Sequence, residues 1–144
     1  MLQSKEEVRN IEKITDRNRR RVGKLYEDMA AEYLKARGHR IAARNFNCVF
    51  GEIDLITRVK REDRDYWDAE DTEYLVFVEV KYRSGISCGE AEYAVDARKQ
   101  RRIRRAAEFY MLSHGIPENT CCRFDVVAIQ ENEIHYYQDA FGGM

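Results

Sequence analysis

Apolar residues near the start of this chain recur at helical spacing. Val8, Ile11 and Ile14 follow Ser4 and Glu7, which stand in the S-x-x-E arrangement of a capping box, and together they predict a short leading helix. From about Asp16 a second stripe of Val22, Leu25, Tyr26, Met29 and Tyr33 predicts a longer first main helix, stopped by Gly38. Ile41 to Phe46 then reads as a strand, Glu52 to Thr57 as a second, rich in β-branched residues, and Leu75 to Lys81 as a third. Arg58 to Tyr74 between them suits a long hairpin loop or insertion, and Tyr82 to Ala94 a loop. Asp96 is placed to cap a helix to about Ser113, with Ile103, Ala106, Ala107, Tyr110 and Met111 inward and its arginines outward. Arg123 to Ile129 alternates as a fourth strand, and Ile134 to Tyr137 returns beside it as an edge strand. This order is α/β: an α-β-β-β-α-β core, predicting a mixed sheet flanked by helices on both faces.

A length of 144 residues suits one domain with a sizeable core. We expect residues 1–20 to be a helical extension and residues 21–144 a single domain carrying an acidic insertion over 60–74. With 44% hydrophobic residues and one proline, the composition excludes a disordered or collagenous chain. The apolar run Leu75 to Val80 is broken by Glu79 and is far short of a membrane span, and the N-terminus lacks the apolar core of a secretory signal. The expected setting is cytoplasmic, with Cys48, Cys88, Cys121 and Cys122 as reduced, buried filler, since no C-x-x-C pair suggests zinc.

Charge changes this picture through its distribution. The net charge is −1, but seven acids crowd between Glu62 and Glu73 against Arg64 alone. Outside that stretch 24 Lys and Arg stand against 19 Asp and Glu, an excess of five positive charges. The basic residues cluster as Arg17, Arg19, Arg20, Arg21 and Lys24, and again as Arg98, Lys99, Arg101, Arg102, Arg104 and Arg105. Two such clusters can form a phosphate-contacting surface, although Arg-rich helix faces also serve solubility alone.

The third strand is apolar on both faces until its end, where Glu79 and Lys81 share a side with Leu75 and Phe77. Charge at a buried strand end requires partners. In the second strand Asp54 shares a face with Glu52 and Ile56, and antiparallel pairing would bring Asp54 beside Glu79. Neighbouring carboxylates repel, and either a raised pKa or a cation between them relieves the conflict. Mg2+ (or Mn2+) suits such a place, because hard cations take one or two carboxylates and fill their remaining positions with water and phosphate. Asp54, Glu79 and Lys81 thus make a coherent site for phosphodiester hydrolysis, with Lys81 orienting the attacking water or stabilising developing charge. An internal ion pair of Lys81 with Glu79 or Asp54, without catalysis, remains the plain alternative. His39, His114 and His135 lack ligand spacing and read as surface or capping residues, while Asp125 reads as the partner of Arg123 or of a neighbouring strand.

Gly51-Glu52-Ile53-Asp54-Leu55-Ile56 followed by Val76-Phe77-Val78-Glu79-Val80-Lys81-Tyr82-Arg83 resembles the paired signature of the YraN-type family of bacterial proteins, itself similar to the PD-(D/E)-x-K nucleases. The resemblance runs from about Arg21 to Ile129 and includes Gly23, Glu27, Ala30, Tyr33-Leu34 and Gly38, Arg44-Asn45, Ala94-Val95 with Arg98 to Arg101, and Arg123 to Val127. It implies the fold shared by restriction endonucleases and Holliday-junction resolvases. By position it implies Asp54 and Glu79 as metal-binding carboxylates, Lys81 as the catalytic lysine, Glu27 as an added metal ligand and Gln100 as a helix glutamine reaching the active centre. Ile53 stands where the superfamily label has proline, and Tyr26 where a small residue is usual; helical phase sets Glu27 off the apolar stripe. The expected function is metal-dependent cleavage of DNA, branched or single-stranded, with phosphates held by Arg98, Lys99, Arg101, Arg102, Arg105, Arg20, Arg21, Lys24 and Arg83. A nucleic-acid-binding module that does not cut, or a protein-interaction factor using the acidic insertion, are the other readings. Symmetric cutting of a branched substrate would need a homodimer, but no dimer face is marked in the sequence.

Overall fold

The computed structural model describes residues 4–61, 73–83 and 95–142. Helix α1 spans Lys5–Ala36, followed by strands β1 (Arg40–Cys48), β2 (Gly51–Lys60) and β3 (Glu73–Arg83), helix α2 (Ala97–Ser113), and strands β4 (Cys122–Gln130) and β5 (Glu133–Tyr137). The predicted order is reproduced, with one correction at its start. The leading and main helices are a single helix of 32 residues. Its apolar period lapses at Thr15 to Arg21 because that stretch is exposed, and no glycine or proline interrupts it. Ser4 and Glu7 close the predicted capping box by reciprocal bonds of 3.0 and 3.2 Å. Gly38, at φ +93, takes the left-handed conformation that ends the helix.

The five strands run in chain order, β1-β2-β3-β4-β5. All neighbours are antiparallel except β3 and β4, which α2 connects as parallel strands. Because β3 lies in the middle and is covered on both faces, Leu75 to Val78 are buried without interruption. Ala30, Ala31 and Leu34 of α1 pack with Leu55, Val76, Val78, Val127 and Ile129 on one face. On the other, Ile103, Ala106, Ala107, Tyr110 and Met111 of α2 pack with Ile56, Leu75, Phe77, Phe124 and Val126. The inward residues expected of α2 are those found.

Strand β2 departs from the alternation read in the sequence. Ile53 and Ile56, three residues apart, both belong to the α2-side core. Opposite this break lies Asn45, in the left-handed region at φ +50 between the register pairs Arg44–Leu55 and Phe46–Ile53. Asp54 stands at this break in the alternation of β2. Residues 62–72, most of the acidic insertion, lie outside the described residues; Lys60, Glu73 and Tyr74 at its expected edges are strand residues.

Candidate functional site

Pairing of β2 with β3 runs from Lys60–Glu73 to Leu55–Val78 and is not continued at Asp54. There the Asp54 carboxylate takes over the role of the ladder, Oδ2 accepting the Val80 backbone N–H at 2.8 Å. This bond holds Asp54 against the end of β3 where Glu79 emerges. Glu79 is buried, 7% exposed, while the opening space beside it is lined by the first two turns of α2. Asp96 caps that helix, accepting the Lys99 N–H at 2.8 Å, and so fixes the turn that points Lys99 at the strand end. The Lys99 ammonium forms a close ion pair with Oε1 of Glu79.

The resulting cleft has a volume of about 460 Å³. Its lining carries Glu52, Asp54 and Glu79 from the strands and Asp96, Arg98, Lys99 and Arg102 from α2 and its cap. Burial pushes the Asp54 carboxyl up to about 8, assisted by the charge of Glu79 and opposed by the Val80 bond. Burial by itself would lower the Lys99 ammonium, but its bond to Glu79 and the charges of Glu79, Asp54 and Asp96 outweigh that and raise it. Lys81 is shifted downward by burial, against the pull of Glu79 and with the repulsion of Lys99 and Arg83.

Among the sequence-derived residues, Asp54 and Glu79 meet in this cleft, and Lys81 lies within electrostatic range of Glu79. Glu27 is half-buried on α1 and is engaged by the Asn45 side chain; burial, tempered by that bond, raises its carboxyl. Gln100 donates from Nε2 to the Val95 carbonyl at 2.7 Å, closing the turn before α2. Arg98 and Arg102 line the cleft, Arg101 and Arg105 are exposed further along α2, and Arg20, Arg21 and Lys24 are exposed on α1. Arg83 is exposed at the end of β3 and donates to the Tyr82 carbonyl. Arg104 is structural, donating to the Gly142 carbonyl and lying over Phe141.

Sequence reasoning assigned Lys99 to phosphate contact and missed that it is the counter-ion of Glu79. No local signal marks this pair, because Lys99 meets Glu79 only once α2 is docked on the sheet. His39 also differs from expectation. It is buried, 5% exposed, and its Nδ1 lies 2.8 Å from the Thr57 hydroxyl. A larger hollow of about 640 Å³ beside His39, Arg37, Tyr74 and Arg123 carries Asp139 as the one carboxylate among the described residues that line it.

The donor set suits a hard divalent cation supplied with two protein carboxylates. No three of His, Cys, Asp and Glu among the described residues converge as a metal-binding group. Mg2+ needs no more than one or two carboxylates when water and phosphate complete its shell, and Asp54 and Glu79 are the residues that would supply them. The Asp54 carboxyl is raised first by burial and then by the neighbouring charge of Glu79.

A five-stranded mixed sheet between two helices, with paired acids at the end of its central strand, defines a restriction-endonuclease-like α/β protein. The chain belongs to the uncharacterised protein family UPF0102, which it matches over residues 26–129. It is 42% identical over 124 residues to a UPF0102 protein of Lachnoclostridium phytofermentans, covering 86% of this chain and 95% of that relative. A UPF0102 protein of Shewanella amazonensis is 44% identical over 119 residues, covering 83% of this chain and 97% of its own length. Among the described residues no helix is long and apolar enough to cross a membrane.

Proposed function

We propose that this protein is a Mg2+- or Mn2+-dependent nuclease that hydrolyses phosphodiester bonds in DNA, branched or single-stranded. The observation that carries this reading is the convergence of Asp54 and Glu79 in a cleft that Arg98, Lys99 and Arg102 also line. Asp54 and Glu79 would hold the metal, which when bound polarises the phosphodiester and acidifies water. Arg98 and Arg102 attract and orient the phosphate backbone. Lys99 leaves Glu79 for a phosphate oxygen as substrate enters, so that the ammonium follows the negative charge. Lys81, with its pKa lowered, is suited to accept a proton from water or to stabilise charge on the reacting phosphate.

The test is incubation of the protein with labelled linear, flapped and four-way DNA in the presence of Mg2+ or Mn2+. Cleavage that chelator abolishes and Asp54→Ala removes is expected. Absence of cleavage by the wild type, or equal cleavage by Asp54→Ala, overturns the assignment.

A further inference from the structure

The amino-terminal half of α1 is helical without a packing partner among the described residues. Every residue from Ser4 to Arg21 is exposed, yet a seam at coiled-coil spacing runs along it, apolar at its two ends and polar at Thr15 and Asn18 in the middle. Val8, Ile11, Thr15, Asn18, Val22 and Leu25 follow one another by alternating steps of three and four, the spacing of a coiled-coil interface. Ile11 is 50% exposed and Leu25 57%; Ile14, flanking the seam, is 57% exposed. Isolated helices of this length are marginal in water and draw most of their stability from packing an amphipathic face. The seam ends at Leu25, immediately before the family match begins at residue 26, so the domain core does not account for it.

We propose that this seam is a homodimer interface, in which the projecting halves of two α1 helices from two copies of the chain pair antiparallel. In that orientation Val8 meets Leu25 of the second copy, Ile11 meets Val22, and Thr15 meets Asn18, each pair occurring twice about the dyad. Apolar layers therefore face apolar layers, and the polar layers fall together at the centre, where they set the register. The flanking charges select the direction. Antiparallel pairing places Glu12 beside Arg19 of the other copy twice, whereas parallel pairing places Glu7 beside Glu12. Arg17, Arg20 and Lys24 lie away from the seam and stay exposed. The proposal stands apart from nuclease activity, because assembly is measured on the full chain without DNA or metal.

Sedimentation of the reduced full-length protein over a concentration series tests it. A reversible dimer is expected for the wild type, and monomers for Ile11→Asp and Leu25→Asp, with the thermal unfolding of the domain retained because both side chains are exposed. Glu12→Arg is expected to weaken the dimer by roughly tenfold by replacing attraction with repulsion at two places, and Arg19→Glu added to it to restore affinity. A wild type that stays monomeric into the submillimolar range, or a dimer unaffected by Ile11→Asp, overturns the interface. Tighter association of Glu12→Arg overturns the antiparallel arrangement, since only parallel helices bring Glu12 against Glu7.

Discussion

Asp54 accepts the backbone N–H of Val80 in place of a rung of the β2–β3 ladder, and this single bond holds the first carboxylate of the site beside the second. The bond satisfies one oxygen of Asp54 and leaves the group buried next to Glu79, which accounts for a carboxyl pushed up to about 8. The consequence for stability has a definite sign. With a folded pKa above its unfolded value, Asp54 contributes stability that is fully present below about pH 4 and is lost progressively as pH rises through about 8. Asp54→Asn keeps an oxygen able to accept from Val80 and removes the ionisation. Thermal unfolding of the metal-free protein from pH 5 to 9 should therefore decline more steeply for wild type than for Asp54→Asn, with Asn the more stable form at the alkaline end. Parallel profiles would refute the sign.

Lys99 and Glu79 give a second prediction, because one ammonium cannot serve both as resident counter-ion and as a bystander to a divalent cation. Lys99→Met removes the competitor while keeping the aliphatic stem. Isothermal titration of the variant with Mn2+ is expected to show tighter binding than wild type, and Asp54→Ala to show no binding heat. The same Lys99→Met change leaves the carboxylate of Glu79 without its cation and should lower folding stability by about 1–2 kcal/mol, the usual cost when a largely buried acid loses a partly exposed partner. Unchanged metal affinity would mean that the ion pair does not occupy the metal position.

How much of this was legible in the sequence depends on the range of the interaction. Strand β3 announced itself, since apolar residues on both faces from Leu75 to Val78 require a central, doubly covered position and make Glu79 conspicuous. Asp96 and the α2 core positions were equally local, set by capping and helical period. The positive φ of Asn45 was not, because a strand asparagine looks like any other polar residue until its neighbours are in place. Strict alternation carried across Asp54 was consequently wrong for Ile53. Lys99 reaches Glu79 only after α2 has docked, so a helix face that reads as a simple basic patch hides a specific ion pair. The burial of His39 likewise arises from the meeting of the end of α1 with Thr57 on β2.

Arg98 and Arg102 line the cleft one helical turn apart, and each is expected to neutralise one DNA phosphate. Replacing either by alanine should weaken binding of different DNA sequences by a similar factor, because interactions with the phosphate backbone carry little sequence information. It should also reduce the slope of log affinity against log salt by about 0.7 to 0.9 for each phosphate no longer neutralised, depending on whether the bound segment is single or double stranded. Arg104→Lys provides the contrast, since Arg104 is engaged with the Gly142 carbonyl and Phe141. Fluorescence anisotropy in a chelator, at several salt concentrations, separates the two. An unchanged slope for Arg98→Ala and Arg102→Ala would remove α2 from the phosphate path.

Away from the cleft, Asp125 is wholly buried in β4 and its two oxygens are fully committed. Arg123 donates to both at 2.9 Å, the Asp139 backbone N–H donates to Oδ1 at 2.9 Å, and the Tyr136 hydroxyl donates to Oδ2. Burial, then the charge of Asp125 and the bond to it, raise the Tyr136 hydroxyl, which therefore remains a donor. The pairing of Asp125 with Arg123 expected from the sequence is thus part of a clamp joining β4, β5 and the turn after it. Asp125→Ala leaves a half-buried guanidinium and a half-buried phenol without this acceptor and should cost about 3–5 kcal/mol, whereas Tyr136→Phe removes one donor and should cost about 1–2 kcal/mol. Because the three groups act on one carboxylate, the double variant should be destabilised by less than the sum of the two single effects. Urea unfolding of the four proteins at neutral pH measures this, and additive effects would show that the tyrosine is anchored by something other than Asp125.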